Sequence, residues 1–158
     1  MADRITAVVA RQLITISDIR LERDTATMNP SVFMPFQSRR EDPFRFVIEL
    51  YILKHLAGKV PLYKPDPNIL AQRLQSLSKQ WYKPSNQKIR ALHAVDKARL
   101  RNLVSTLMIA EKYAQRNIGN SRIDSSLEIQ KHYNRWIDQL VKESYQEGIF
   151  RLVNSPKK

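Results

Sequence analysis

The stretch DPFRFVIELYILKHLAG, from Asp42 to Gly58, constrains this chain more than any other. Asp is a strong N-cap and Pro suits a first helical turn, so Asp42-Pro43 predicts the start of a helix. Gly58 predicts its end, because glycine readily takes the left-handed backbone that closes helices. Between them, Phe44, Phe46, Val47, Ile48, Leu50, Tyr51, Ile52, Leu53 and Leu56 leave little polar face. A helix apolar nearly all round belongs at the centre of a bundle, with neighbours on every side. Glu49, Lys54 and His55 interrupt it, and a bilayer span needs about 20 apolar residues.

The neighbours are legible by the same signals. Asp66-Pro67 opens a second helix with a stripe of Ile69, Leu70, Leu74, Leu77 and Trp81, closed by Pro84. Ser85 or Asn86 caps the next segment, whose stripe is Ile89, Leu92, Leu100, Leu103 and Leu107, with Gly119-Asn120 as its stop. Asp96 interrupts that stripe, either as the cap of a separate helix or as an ion-pair partner of a nearby Arg. Ser125-Ser126-Leu127-Glu128 reads as a capping box for a last helix through Tyr145. At the N-terminus, Ile5, Val8, Val9, Leu13 and Ile16 fall at helical spacing, although ITISDIRLER also alternates like a strand. Residues 23–41 show no period and read as a long loop. The expected fold is all-α: a compact bundle of four to five helices with a long N-terminal loop. One domain over residues 1–153 and a loose basic tail, 154–158, complete the picture.

Composition narrows the chemistry. The 158 residues include no cysteine, which removes disulfides, Cys-ligated zinc and a Cys nucleophile. Only three glycines occur, too few for a phosphate-cradling loop. His55, His93 and His132 are far apart, and Glu128 with His132 gives only two potential ligands where a metal site needs more. No nucleophile motif is present. The sequence therefore predicts no enzyme, no metal and no cofactor. It carries no signal peptide, so a cytoplasmic protein is expected.

What it does carry is charge: 27 Lys+Arg against 15 Asp+Glu, a net +12. Such a surplus speaks of a polyanionic partner, nucleic acid foremost. If residues 86–101 form one helix, Asn86, Arg90, His93, Lys97 and Arg101 share a narrow sector beside the apolar stripe, with Lys88 and Arg99 on the other edge. A merely solvated helix interleaves Glu with Lys; here the outer face has almost no acid. Lys83, Lys88, Arg90, His93, Lys97, Arg99 and Arg101, with Arg39 and Arg40 on the preceding loop, are the candidate nucleic-acid-binding residues. Lys79, Arg116, Arg122, Lys131 and Arg135 are supporting cations. Trp81 and Tyr82 are candidates to stack unpaired bases, with a core anchor the simpler role for Trp81. In the loop, Phe33, Met34 and Phe36 either cover the core or dock a partner subunit.

A small, Cys-free, basic helical bundle without a catalytic signature resembles the small subunits of CRISPR effector complexes, over roughly residues 68–148. The resemblance implies copies lined up beside a guide–target duplex, touching one another, other subunits and the displaced strand, with no catalysis of their own. Two other readings compete: a helical protein–protein adaptor whose basic face meets an acidic partner, and a helix-turn-helix regulator turning near Asp96.

Overall fold

The computed structural model describes residues 3–118 and 125–153. Two short strands come first, β1 (Ile5–Val9) and β2 (Gln12–Thr15), followed by α1 (Ile16–Thr25). A turn-rich segment leads to α2 (Pro35–Arg39), α3 (Pro43–Ala57), α4 (Pro67–Trp81), α5 (Gln87–Leu92), α6 (Lys97–Ile118), α7 (Ser126–Gln146) and β3 (Phe150–Leu152). Single 3₁₀ turns at Pro61–Tyr63 and Pro84–Asn86 link α3 to α4 and α4 to α5.

The fold is therefore mostly helical but not all-α. The three strands form an antiparallel sheet in the order β2-β1-β3, which joins the two ends of the chain. Of the N-terminal apolar residues, Ile5, Val8, Val9 and Leu13 belong to this sheet and not to a helix, while Ile16 opens α1. Thr6, Val8, Val9, Ile14 and Thr15 are β-branched and favour a pleated, half-buried surface. Val9 pairs with Gln12 across a two-residue turn whose first residue, Ala10, takes φ +52°. The inward side chains Ala7, Val9, Ile14 and Phe150 rest on Val47, Ile48 and Ile52 of α3.

The central position expected for the 42–58 segment follows from its apolar circumference. One side of α3 meets the sheet. Another, through Phe46, Leu50 and Leu53, meets Phe33, Phe36, Leu107, Ala110, Tyr133 and Ile137 from the loop, α2, α6 and α7. A second packing centre joins Leu21, Met28, Leu70, Leu77, Trp81, Leu100 and Val104 from α1, α4 and α6. Three of the expected caps form, while Asn86 makes no side-chain cap to α5 and the expected Ser125–Glu128 box has only its Ser125 half; the reciprocal box is at Thr15–Asp18 of α1. Asp42 accepts from the Arg45 N–H, Asp66 from Asn68 and Ile69, and Ser125 from Glu128. Gly58 closes α3 at φ +56°. The expected Gly119-Asn120 stop and the tail 154–158 lie outside the described residues.

The segment 86–101 is two helices, not one. Residues 93–96 interrupt it, and the Asp96 carboxylate accepts the Arg99 N–H at 2.8 Å, the geometry of an N-cap for α6. Of the two roles open to Asp96, the cap is the one observed. Residues 23–41 are also more ordered than a long loop. α1 extends through Thr25, α2 fills 35–39, and Glu111 of α6 ties the intervening chain down by accepting from the Ser31 hydroxyl and the Val32 N–H, both at 2.7 Å.

Candidate nucleic-acid interface

The cations of the sequence fall into two populations. One is spent inside the fold. Arg40, with its side chain almost fully buried, donates to Glu22 at 2.7 Å and to the Asn29 carbonyl at 2.7 Å. Arg39 forks onto Glu49 and reaches Asp138 at 2.9 Å, and Arg45 joins both acids. Arg99 donates to Asp18 at 2.9 Å, tying α6 to α1. Buried His93 meets Asp24 through Nε2 at 2.8 Å, and Arg73 of α4 pairs with buried Glu111. Arg90 donates to the carbonyls of Trp81 and Lys83 and so closes the C-terminal end of α4.

Burial dominates at two of these acids, Glu22 and Glu49. Loss of water pushes the Glu22 carboxyl up from its ordinary 4.5, against the pull of Arg40. Glu49 is pushed up for the same reason, against Arg39 and Arg45. Burial also works against the charge of Arg39, but the Glu49 and Asp138 carboxylates outweigh it and hold the guanidinium above its ordinary value. The two partners thus shift in ways that disagree about the pair. The geometry favours an ionised one, because two carboxylates converge on a guanidinium that does not deprotonate.

Five of the nine candidate residues, Arg39, Arg40, Arg90, His93 and Arg99, are therefore held by partners within the chain. The other four, Lys83, Lys88, Lys97 and Arg101, are exposed. Among the described residues, every carboxylate-bound cation is an arginine or His93, and no lysine is ion-paired. This division has a physical basis. A planar guanidinium forks onto a carboxylate and tolerates burial, whereas an ammonium is strongly hydrated and stays in water. Asp18, Glu22, Asp24, Glu49, Glu111 and Asp138 are consumed by these pairs, and Asp42, Asp66 and Asp96 by helix caps. Few acids remain to neutralise the surface.

The unneutralised cations gather on the outer face of α6. At 100° per residue, Lys97, Arg101, Lys112 and Arg116 lie within a sector of about 100°, spread over about 28 Å of axis. All four are exposed, and the one acid of α6, Glu111, is buried at the edge of this sector, about 40° from Lys97, where Arg73 pairs with it. The exposed face of α7 is built differently. There Lys131, Arg135 and Lys142 are interspersed with Glu128 and Glu143, and with Asp138, which Arg39 and Arg45 also hold, closer to the pattern of an ordinary solvated helix. Of the supporting cations, Arg116 thus joins the α6 ridge, Lys131 and Arg135 sit among acids, Lys79 is exposed on α4, and Arg122 lies outside the described residues. The break at 93–96 removes the continuous row from Asn86 to Arg101. The row that exists starts at Lys97 and runs to Arg116. Lys112 completes the row and is absent from the sequence candidates, although Arg116 of the same segment is among them.

The aromatic candidates also separate. Trp81 is fully buried and anchors the α4 end of the second packing centre. Tyr82, its neighbour, is 56% exposed. Phe33 and Phe36 do not present themselves to a partner. Both are buried, edge-on to one another at 5.0 Å and packed on Tyr133, so the loop covers the core. Met34 alone of that trio is exposed, at 42%. No described helix is long and apolar enough to cross a membrane, and no described group of three or more His, Asp or Glu could hold a metal ion. Comparison with protein-family models, curated proteins and solved structures finds no match.

Proposed function

We propose that this chain is a non-catalytic, cytoplasmic subunit of a ribonucleoprotein assembly that grips nucleic-acid backbone without reading sequence. The CRISPR effector small subunits it resembles offer the kind of setting. The observation that carries this reading is the set of exposed cations on α6, Lys97, Arg101, Lys112 and Arg116, none of them in a described ion pair. Within each of the i,i+4 pairs Lys97–Arg101 and Lys112–Arg116 the cations repel by a few tenths of a kcal/mol, and phosphates seated on them remove that cost. Contacts of this kind position a backbone and carry no base information.

The test is charge reversal on one helix with the other as control. Replacing Lys97, Arg101, Lys112 and Arg116 by Glu should reduce binding of a labelled oligonucleotide by at least a hundredfold at moderate salt, with the helical circular-dichroism signal retained. Replacing Lys131, Arg135 and Lys142 by Glu should change it far less. Equal effects of the two variants would defeat the assignment to α6. Reversal of Arg90 or Arg99 is not informative, because both are structural.

One observation favours the adaptor reading. Exposed Val32 and Ile69 line a groove with Met108, beside Lys112. An acidic protein partner with an apolar anchor would fit there. Loss of partner binding on Val32→Asp, with oligonucleotide binding intact, would support it.

A further inference from the structure

The corner between α4 and α5 holds an aromatic ring in an unusual state: rigidly mounted and left uncovered. Tyr82 is the C-cap of α4, and its N–H donates to the Ser78 carbonyl at 3.0 Å. On one side the chain is anchored by buried Trp81. On the other, the Pro84–Asn86 turn folds back, and the Asn86 side chain donates to the Gln80 carbonyl at 2.6 Å. Arg90 is fixed by the Trp81 and Lys83 carbonyls, with its guanidinium carbon 5.8 Å from the Tyr82 ring centroid. The ring belongs to none of the three packing clusters and keeps more than half of its surface in water.

The electrostatic setting is one-sided. No carboxylate occurs in the sequence between Asp66 and Asp96. Lys79, Lys83 and Lys88, all exposed, surround Tyr82 in sequence with no described acid paired to them. A preorganised aromatic ring among cations is the arrangement that stacks a base while holding its phosphates, and little side-chain freedom is left to lose on binding.

We propose that Tyr82 is a stacking platform for an unpaired nucleobase, and that the ligand of this corner is single-stranded nucleic acid with its phosphates on Lys79, Lys83 and Lys88. This rests on the backbone-binding reading above and adds strand state to it. A duplex keeps its base faces covered, so only a single strand can use the ring.

The experiment compares a short oligothymidylate with a blunt-ended two-strand duplex of equal charge, titrated against wild type, Tyr82→Ala, Tyr82→Phe and the pair Lys79→Glu/Lys83→Glu. Tyr82→Ala should weaken single-strand binding about tenfold while leaving duplex binding and the salt dependence unchanged. Tyr82→Phe should bind as wild type. Unchanged Trp81 fluorescence, read in a Trp136→Phe background because Trp136 also emits, would confirm that the corner stays folded. Single-strand affinity untouched by Tyr82→Ala, or lost equally for both ligands, would overturn the stacking role. If the Lys variant weakens binding and Tyr82→Ala does not, backbone binding survives and stacking alone fails. If wild type binds neither ligand, both fail.

Discussion

Glu22 shows how tightly single residues are committed in this chain. Its carboxylate is buried against Arg40, and burial lifts its folded-state pKa above the ordinary 4.5. The folded chain therefore takes up this proton before the unfolded chain does. The resulting stabilisation is fully present below about pH 4.5 and is lost as pH rises through the folded-state pKa. Glu22→Gln keeps an acceptor for Arg40 but removes the titration. The advantage of wild type over Glu22→Gln in denaturant unfolding should be larger at pH 4.5 than at pH 7, and an advantage that grows with pH would contradict the assignment. Glu49 has a second kind of commitment. Glu49→Ala strips Arg39 of one of its two carboxylates inside the fold, for a predicted cost of about 3 kcal/mol, near the low end for a broken buried pair because Asp138 remains. Urea unfolding of the variant measures it. Neither role was visible in the sequence, since Arg39 and Arg40 meet acids 10 and 18 positions away.

At the scale of elements, legibility followed locality. α3 and α4 are bounded by Asp-Pro starts, and α3 ends at a glycine, all signals within the segment itself. The hairpin was obscured because Ala10-Arg11 stands where Asn-Gly or Asp-Gly would announce a tight turn. Ala10 accepts a left-handed φ that suits glycine better. Ala10→Gly should therefore raise stability by about 0.5 kcal/mol, read as a higher melting temperature; a lower one would mean the turn is unstrained. β3 is three residues long and gains its identity only by pairing with β1 from the far end of the chain, which no local pattern encodes. The cationic ridge was half legible. Lys97 and Arg101 were found by spacing, but the helix containing them starts at Asp96 rather than Asn86. Asp96→Ala should cost about 1 kcal/mol and loosen the first turn of α6, so it should also weaken oligonucleotide binding modestly. Unfolding and binding measured on the same variant would show both.

Over the whole molecule, the positive charge is sorted as well as abundant. Arginines and acids neutralise one another between elements, and the described lysines other than half-buried Lys54 are left outside, with Arg101 and Arg116 on the ridge. The surplus of +12 is thereby largely a surface property, and the outer face of α6 and the α4–α5 corner carry seven of its exposed cations. The most direct test is the salt dependence of oligonucleotide binding. Each phosphate neutralised contributes about 0.7 to 0.9 to the slope of log K against log salt. The wild-type slope should be about −3 or steeper, and the fourfold α6 reversal should flatten it by about 3. A wild-type slope near zero, or a steep slope that the α6 reversal leaves unchanged, would contradict the account.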